Sequence, residues 1–206
     1  MVSVKIYVEG GGDSKEQQSR CREGFSKLIE KAGFQGRMPS IVACGGRDSV
    51  FDNFKIAVNN RTTYSLLLVD SEDPVQNTNT DPDSTIAWDH LLSRDAWTRP
   101  NGVKNDQALL MVTSMETWIM ADPNALHVFF GQSLQVSALL SGYDLEAKYR
   151  GDVLQALDHA TRNCHRDKRY KKGTISFKVL ANVTPGKLKR LLPHFERLIS
   201  VLERHL

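Results

Sequence analysis

Three short runs in this chain set carboxylates at points where a strand should end or a helix should begin. They are Val8-Glu9-Gly10, Val69-Asp70-Ser71-Glu72-Asp73 and Ser114-Met115-Glu116-Thr117-Trp118. The first two follow apolar stretches that read as strands, Val4 to Val8 and Tyr64 to Val69, and the third follows Ala108 to Thr113. Anionic groups gathered at one edge repel each other, and a divalent cation relieves that repulsion. Donor sets made only of oxygen favour Mg²⁺ or Mn²⁺ over zinc. Asp70 and Glu72, two residues apart, point the same way if strand geometry continues past Val69. Asp73 is a further candidate ligand, or an acidic turn residue before Pro74. Glu116 could equally serve as a helix-start carboxylate welcomed by the helix dipole. Asp122, just before Pro123, reads as a cap.

Basic residues supply the complementary chemistry. Arg47 follows the Gly45-Gly46 turn and should share the edge with Glu9 and Asp70. There it could hold a phosphate or pair with one of the carboxylates. The densest basic stretch runs from Arg166 to Lys172. Within it Arg169, Lys171 and Lys172 could track a nucleic-acid backbone, with Tyr170 stacking on a base. Charge is divided along the chain. Residues 1–149 carry 14 Lys/Arg against 19 Asp/Glu, whereas residues 150–206 carry 13 against 5. An acidic half beside a basic half suits a metal site next to a polyanion track.

Other chemistries are poorly served. Gly10-Gly11-Gly12-Asp13-Ser14-Lys15 lacks the spacing of a nucleotide-binding phosphate loop. No histidine pair has metal-ligand spacing, and no nucleophile elbow is present. Cys21, Cys44 and Cys164 form no CxxC pair, so neither a disulfide framework nor a structural zinc site is supported. No apolar run approaches a membrane span, and the start lacks the layout of a signal peptide. The expected compartment is the cytoplasm.

The elements that must position these residues follow from periodicity. Strands are expected at about 3–9, 38–43, 64–69 and 108–113. Helices are expected from an Asp13/Glu16 capping pair to Ala32, from Val50 to Val58, at 86–92, from Met115, near 145–164, and through the apolar-periodic tail after Ile175. Strand, helix, strand, helix, strand with short links is the pattern of a parallel α/β sheet. The polar segment from Pro74 to Ser84 is expected to be an exposed loop that covers or gates the acidic cluster. The fold class is thus α/β: a parallel sheet of about four strands flanked by helices (1–122), with a helical, basic C-terminal part (123–206), together one domain.

A glutamate after strand one with D-x-E after a later parallel strand resembles the Toprim fold of topoisomerases, primases and overcoming-lysogenization-defect nucleases. A closer likeness is to small bacterial Toprim-like proteins of unknown function. It rests on Val8-Glu9-Gly10, Leu68 to Asp73, Met111 to Pro123 and Tyr170-Lys171-Lys172-Gly173, and covers about residues 3–200. The resemblance implies a Rossmann-like sheet in which Glu9, Asp70, Glu72 and Glu116 hold one or two Mg²⁺ ions. Glu72 departs from the commoner aspartate at that position. The resemblance also implies an ABC-type ATPase partner in phage defence. The expected activity is metal-dependent hydrolysis of DNA or RNA, with Lys172 at a phosphate oxygen and Glu9 either a ligand or a general acid–base. The alternative is a non-catalytic or partner-activated regulatory subunit of an ATPase complex. Neither reading excludes a homo-oligomer.

Overall fold

The structure, a computed structural model, describes residues 3–60, 63–75 and 77–206. Met1, Val2, Arg61, Thr62 and, in the polar loop, Gln76 lie outside the described residues.

Four strands, β1 (Val4–Val8), β2 (Ser40–Ala43), β3 (Tyr64–Asp70) and β4 (Ala108–Met111), form one sheet in the order β2-β1-β3-β4. Every pairing is parallel, with Ile6 opposite Ile41 and Leu66, and Val69 opposite Leu110. From Ser65 to Asp70 every β3 residue is buried. This is why its apolar run does not alternate: both faces of a central parallel strand are covered.

The faces have different covers. On one, Ile6, Val8, Leu66, Leu68 and Met111 pack with Phe25 and Leu28 of α1 (Lys15–Ile29) and with the C-terminal helices. On the other, Leu67, Val69 and Leu110 pack with Phe51 and Phe54 of α2 (Arg47–Asn60) and Trp88 of α3 (Ile86–Asp95). The chain leaves β1 for β2 through α1, then crosses back through α2 to β3 on the other side of β1. The order therefore reverses between β1 and β3, and a crevice opens at their carboxyl ends.

The chain from α4 (Met115–Met120) onward is helical: α5 (Pro123–Phe130), α6 (Arg150–Thr161), α7 (Thr174–Leu180), α8 (Pro185–Leu191) and α9 (Pro193–His205). These helices share one apolar core with β1 and α1, in which Trp118 meets Phe25 and Phe195 edge-on. The basic C-terminal part thus completes the core of the sheet.

Several boundaries differ from the sequence expectation. The cap of α1 is Ser14, whose Oγ accepts from Gln17 N–H (3.2 Å), rather than Asp13. Helix α2 begins three residues early, at Arg47, and α6 is shorter than the expected 145–164. Asp122 caps α5 as expected, accepting from Ala125 N–H. Burial acts to raise its pKa, but bonds from Lys187 and Thr184 outweigh that and hold it low.

The polar loop is not a lid. Its Asn77, Asn79 and Asp81 side chains each bond a backbone N–H two residues on. Its far half is then pinned by Arg197 of α9, which donates to the carbonyls of Asp81, Pro82 and Ser84 and to those of Asn105 and Ala108. Ala108 begins β4, so the loop has crossed to the sheet edge opposite the acidic cluster. Arg197 is only 2% exposed, which its pattern of charge and apolar neighbours could not reveal.

Candidate metal centre at the carboxyl edge

Glu9 follows β1 directly, and its backbone N–H still pairs with Leu68 O. The next residues turn away sharply. Gly10 and Gly45 exchange backbone hydrogen bonds of 2.8 and 2.9 Å, tying the ends of β1 and β2 together. Gly11 has φ +89°, and a Cβ there would stand 2.9 Å from Gln18 Cα; one on Gly45 (φ +77°) would stand 3.0 Å from Gly12 O. Only glycine satisfies both demands. The turns Gly10–Gly12 and Gly45–Gly46 therefore form a side-chain-free wall of a cleft of about 440 Å³, whose lining includes Glu9, Asp70 and Lys172.

Three carboxylates meet beside this cleft. Glu9, Asp70 and Glu72 each offer an oxygen, and these lie within 4.8 Å of one another. Asp70 and Glu72 converge for a different reason from the one expected. Strand β3 ends at Asp70, and Glu72 adopts φ +66°. Its N–H donates to Thr113 O (2.8 Å), so β4's extension, not strand alternation, places its side chain.

Asp70 is 5% exposed and accepts from Met115 N–H at 2.9 Å. Burial, then the charges of Glu9 and Glu116, raise its pKa to about 7. Glu9 is also raised by burial, with Arg47 the main influence in the other direction. Glu9 Oε2 accepts from Arg47 (3.0 Å) and from Asp70 N–H (3.2 Å).

Each carboxylate has its own cation. Arg47 serves Glu9, Lys172 Nζ stands 3.8 Å from Asp70 Oδ2, and Arg150 pairs with Glu72. Arg47 is the most tightly held. It forks onto Asp95 (2.9 and 2.6 Å), donates to Asp70 O (2.6 Å), and lies 5.0 Å over the Trp97 ring. Of the two readings open for Arg47, the ion pair is the one observed; its donors are engaged in bracing the site rather than turned to a phosphate.

Glu116 sits in the first turn of α4, fully buried and outside the three converging oxygens. Tyr170 Oη donates to its Oε1 (3.0 Å), while Oε2 is buried without a partner. Tyr170 is therefore not a stacking platform. It is 7% exposed, and burial together with the Glu116 charge raises its pKa well above normal. Asp73 also departs from expectation. Its side chain is 62% exposed and turns to Arg94 (3.3 Å), away from the other three carboxylates. Arg169, Lys171 and Lys172 are exposed, as a backbone-tracking stretch requires.

Sequence reasoning missed Arg150, Asp95 and Trp97. Arg150 stands 78 positions from its partner Glu72, and no local spacing signals that pairing. The three cysteines are free; burial pushes the Cys21 thiol up to about 12 and Cys44 to about 11.

The donor chemistry fits a hard divalent cation. All three converging side chains are carboxylates, and one of them, Asp70, resists ionising because it is buried and its acidic neighbours crowd it. The molecule is thus a parallel α/β protein with an acidic cluster at its topological switch point. A family model described as "Domain of unknown function (DUF4276)" matches residues 8–203, and the chain belongs to that family. No curated protein and no solved structure matches it. No helix of the described residues is long and apolar enough to cross a membrane.

Proposed function

We propose that this protein is a Mg²⁺- or Mn²⁺-dependent nuclease that hydrolyses phosphodiester bonds of DNA or RNA, a reading that extends the Toprim likeness of its motifs. The observation that carries it is the meeting of Glu9, Asp70 and Glu72 oxygens within 4.8 Å beside a glycine-walled cleft. These residues would hold the cation, which when bound supplies Lewis-acid stabilisation of phosphoryl oxygens and an activated water. Burial, then its acidic neighbours, raise the Asp70 pKa to about 7, so a cation bound there would compete with its proton near neutral pH. The Gly10–Gly12 turn lets a phosphate approach the backbone closely. Lys172, half exposed at the same cleft, would hold a phosphate oxygen, and the exposed Arg169 and Lys171 would follow the strand. Glu116, whose charge helps raise the Asp70 pKa, and Tyr170, which donates to Glu116, lie behind the cluster in the core. The proposal includes a cytoplasmic setting, from the sequence's lack of a membrane-length apolar run and of a signal-peptide layout, and an ABC-type ATPase partner in phage defence, on the motif likeness alone.

The test is to incubate purified protein with DNA and RNA, with Mg²⁺ or Mn²⁺ and with EDTA, beside Glu9→Ala and Asp70→Ala. Metal-dependent cutting lost in both folded variants supports the reading. Cutting retained in either one removes the catalytic assignment. Absence of cutting in the folded wild-type protein favours a partner-activated subunit of an ATPase complex.

A further inference from the structure

The cations beside the three carboxylates differ in how firmly they are held. Arg47 has Glu9, Asp95 and the Asp70 carbonyl as partners, rests on Trp97 and is 16% exposed, so it cannot leave. Arg150 has Glu72 as its one polar side-chain partner among the described residues, and its side chain is 27% exposed. Its backbone, by contrast, is fixed. Arg150 is the first residue of α6; Tyr149 O accepts from Asp152 and Val153 N–H, and Lys148 O accepts from Thr113 Oγ1 at 3.3 Å. Val153 and Leu157 bury the helix in the core.

A divalent ion taking Glu72 as a ligand competes with this guanidinium directly. Once displaced, Arg150 is held by its helix beside the ion, with a planar fork of donors and no carboxylate to satisfy them. A non-bridging phosphate oxygen next to a metal is the ligand that fork suits. The start of α6 adds the same sign of partial charge.

We propose that Arg150 is a substrate-binding residue that doubles as a placeholder: it neutralises Glu72 until a divalent cation arrives, then turns to grip the phosphodiester. This rests on the metal-site reading above and names a residue and a sequence of occupancy that reading does not contain.

The test uses full-length wild type, Arg150→Gln, Glu72→Gln and the double variant, with circular dichroism to establish that each is folded. The probes are Mn²⁺ alone, followed by electron paramagnetic resonance, and a short single-stranded oligodeoxynucleotide bound in Ca²⁺. Arg150→Gln should bind Mn²⁺ about fivefold more tightly, the measure of a partly exposed ion pair released. In the Glu72→Gln background the same change should have no effect on Mn²⁺. Arg150→Gln should also weaken the oligonucleotide about tenfold in Ca²⁺. Unchanged or weaker Mn²⁺ binding by folded Arg150→Gln overturns the placeholder, and unchanged oligonucleotide binding overturns the grip. No Mn²⁺ binding by the wild-type protein overturns the metal-site reading itself, a failure distinct from either.

Discussion

Asp70→Asn isolates the electrostatic tension of the cluster. In the unfolded chain this carboxyl ionises near 3.8, whereas in the fold burial and its acidic neighbours raise it to about 7. Between those values the unfolded chain has lost the proton and the folded protein keeps it. Each pH unit crossed upward then favours unfolding by about 1.4 kcal/mol. Asp70 therefore costs nothing below about pH 4, and progressively destabilises the metal-free fold as pH rises to about 7. The interval of about 3 units amounts to an upper bound of about 4 kcal/mol. An asparagine removes this cost while its Oδ1 can still accept from Met115 N–H, and its amide faces Lys172, which is half exposed and free to turn away. In EDTA at pH 8, urea unfolding should find Asp70→Asn more stable than wild type by about 2–4 kcal/mol, with the two curves converging near pH 4. Added Mn²⁺ should raise the stability of wild type and not of the variant. A variant less stable than wild type in EDTA at pH 8, or a gap that does not narrow on acidification, would refute the reasoning.

Arg197→Met keeps most of the unbranched apolar stem but leaves five carbonyls without their donor. It should cost about 3 kcal/mol or more in urea unfolding, and a loss under about 1 kcal/mol would show that water serves those carbonyls equally well. Tyr170→Phe leaves both Glu116 oxygens without a partner among the described residues. It should lower stability by about 1–3 kcal/mol at neutral pH while leaving oligonucleotide binding unchanged; weakened binding at unchanged stability would restore the stacking role. Arg47→Lys replaces a fork that serves Asp95, Glu9 and Asp70 O at once. It should lower thermal stability and weaken Mn²⁺ binding, and wild-type values for both would mean that the brace is dispensable.

Much of the sheet was legible because its signals are local. The run from Tyr64 to Val69 has no polar interruption except Ser65, and only burial on both faces accounts for that. Glu9 and Asp70 were legible as edge residues because parallel strands deliver their carboxyl ends to one side. What the sequence hid are contacts whose partners lie far apart in the chain. Tyr170 sits in a basic stretch that reads as solvated, yet it reaches Glu116, 54 positions away, through the core. The loop from Pro74 to Ser84 has the composition of a lid, yet one arginine in α9, more than 100 positions later, sets its path. Asp73 fits a ligand pattern by type and spacing, but the turn after Glu72 directs it to Arg94.

The arrangement of charge gives the acidic cluster a coherent logic. Three carboxylates left alone at a desolvated edge would destabilise the fold, and three unbreakable ion pairs would close the site to any metal. The cluster lies between these limits. Arg47 is fixed by four hydrogen bonds and an aromatic ring, and it holds the ends of β1 and β3 in register through Glu9 and the Asp70 carbonyl. Lys172 stands at 3.8 Å and is half exposed, and Arg150 has one side-chain partner among the described residues. One strong pair sets the geometry, while two weaker ones hold the charge in check and can be given up. On the proposed metal-dependent reading, Lys172 at the cleft and Arg150 beside the cluster would then be released, and an anionic substrate would supply the charge they had lost.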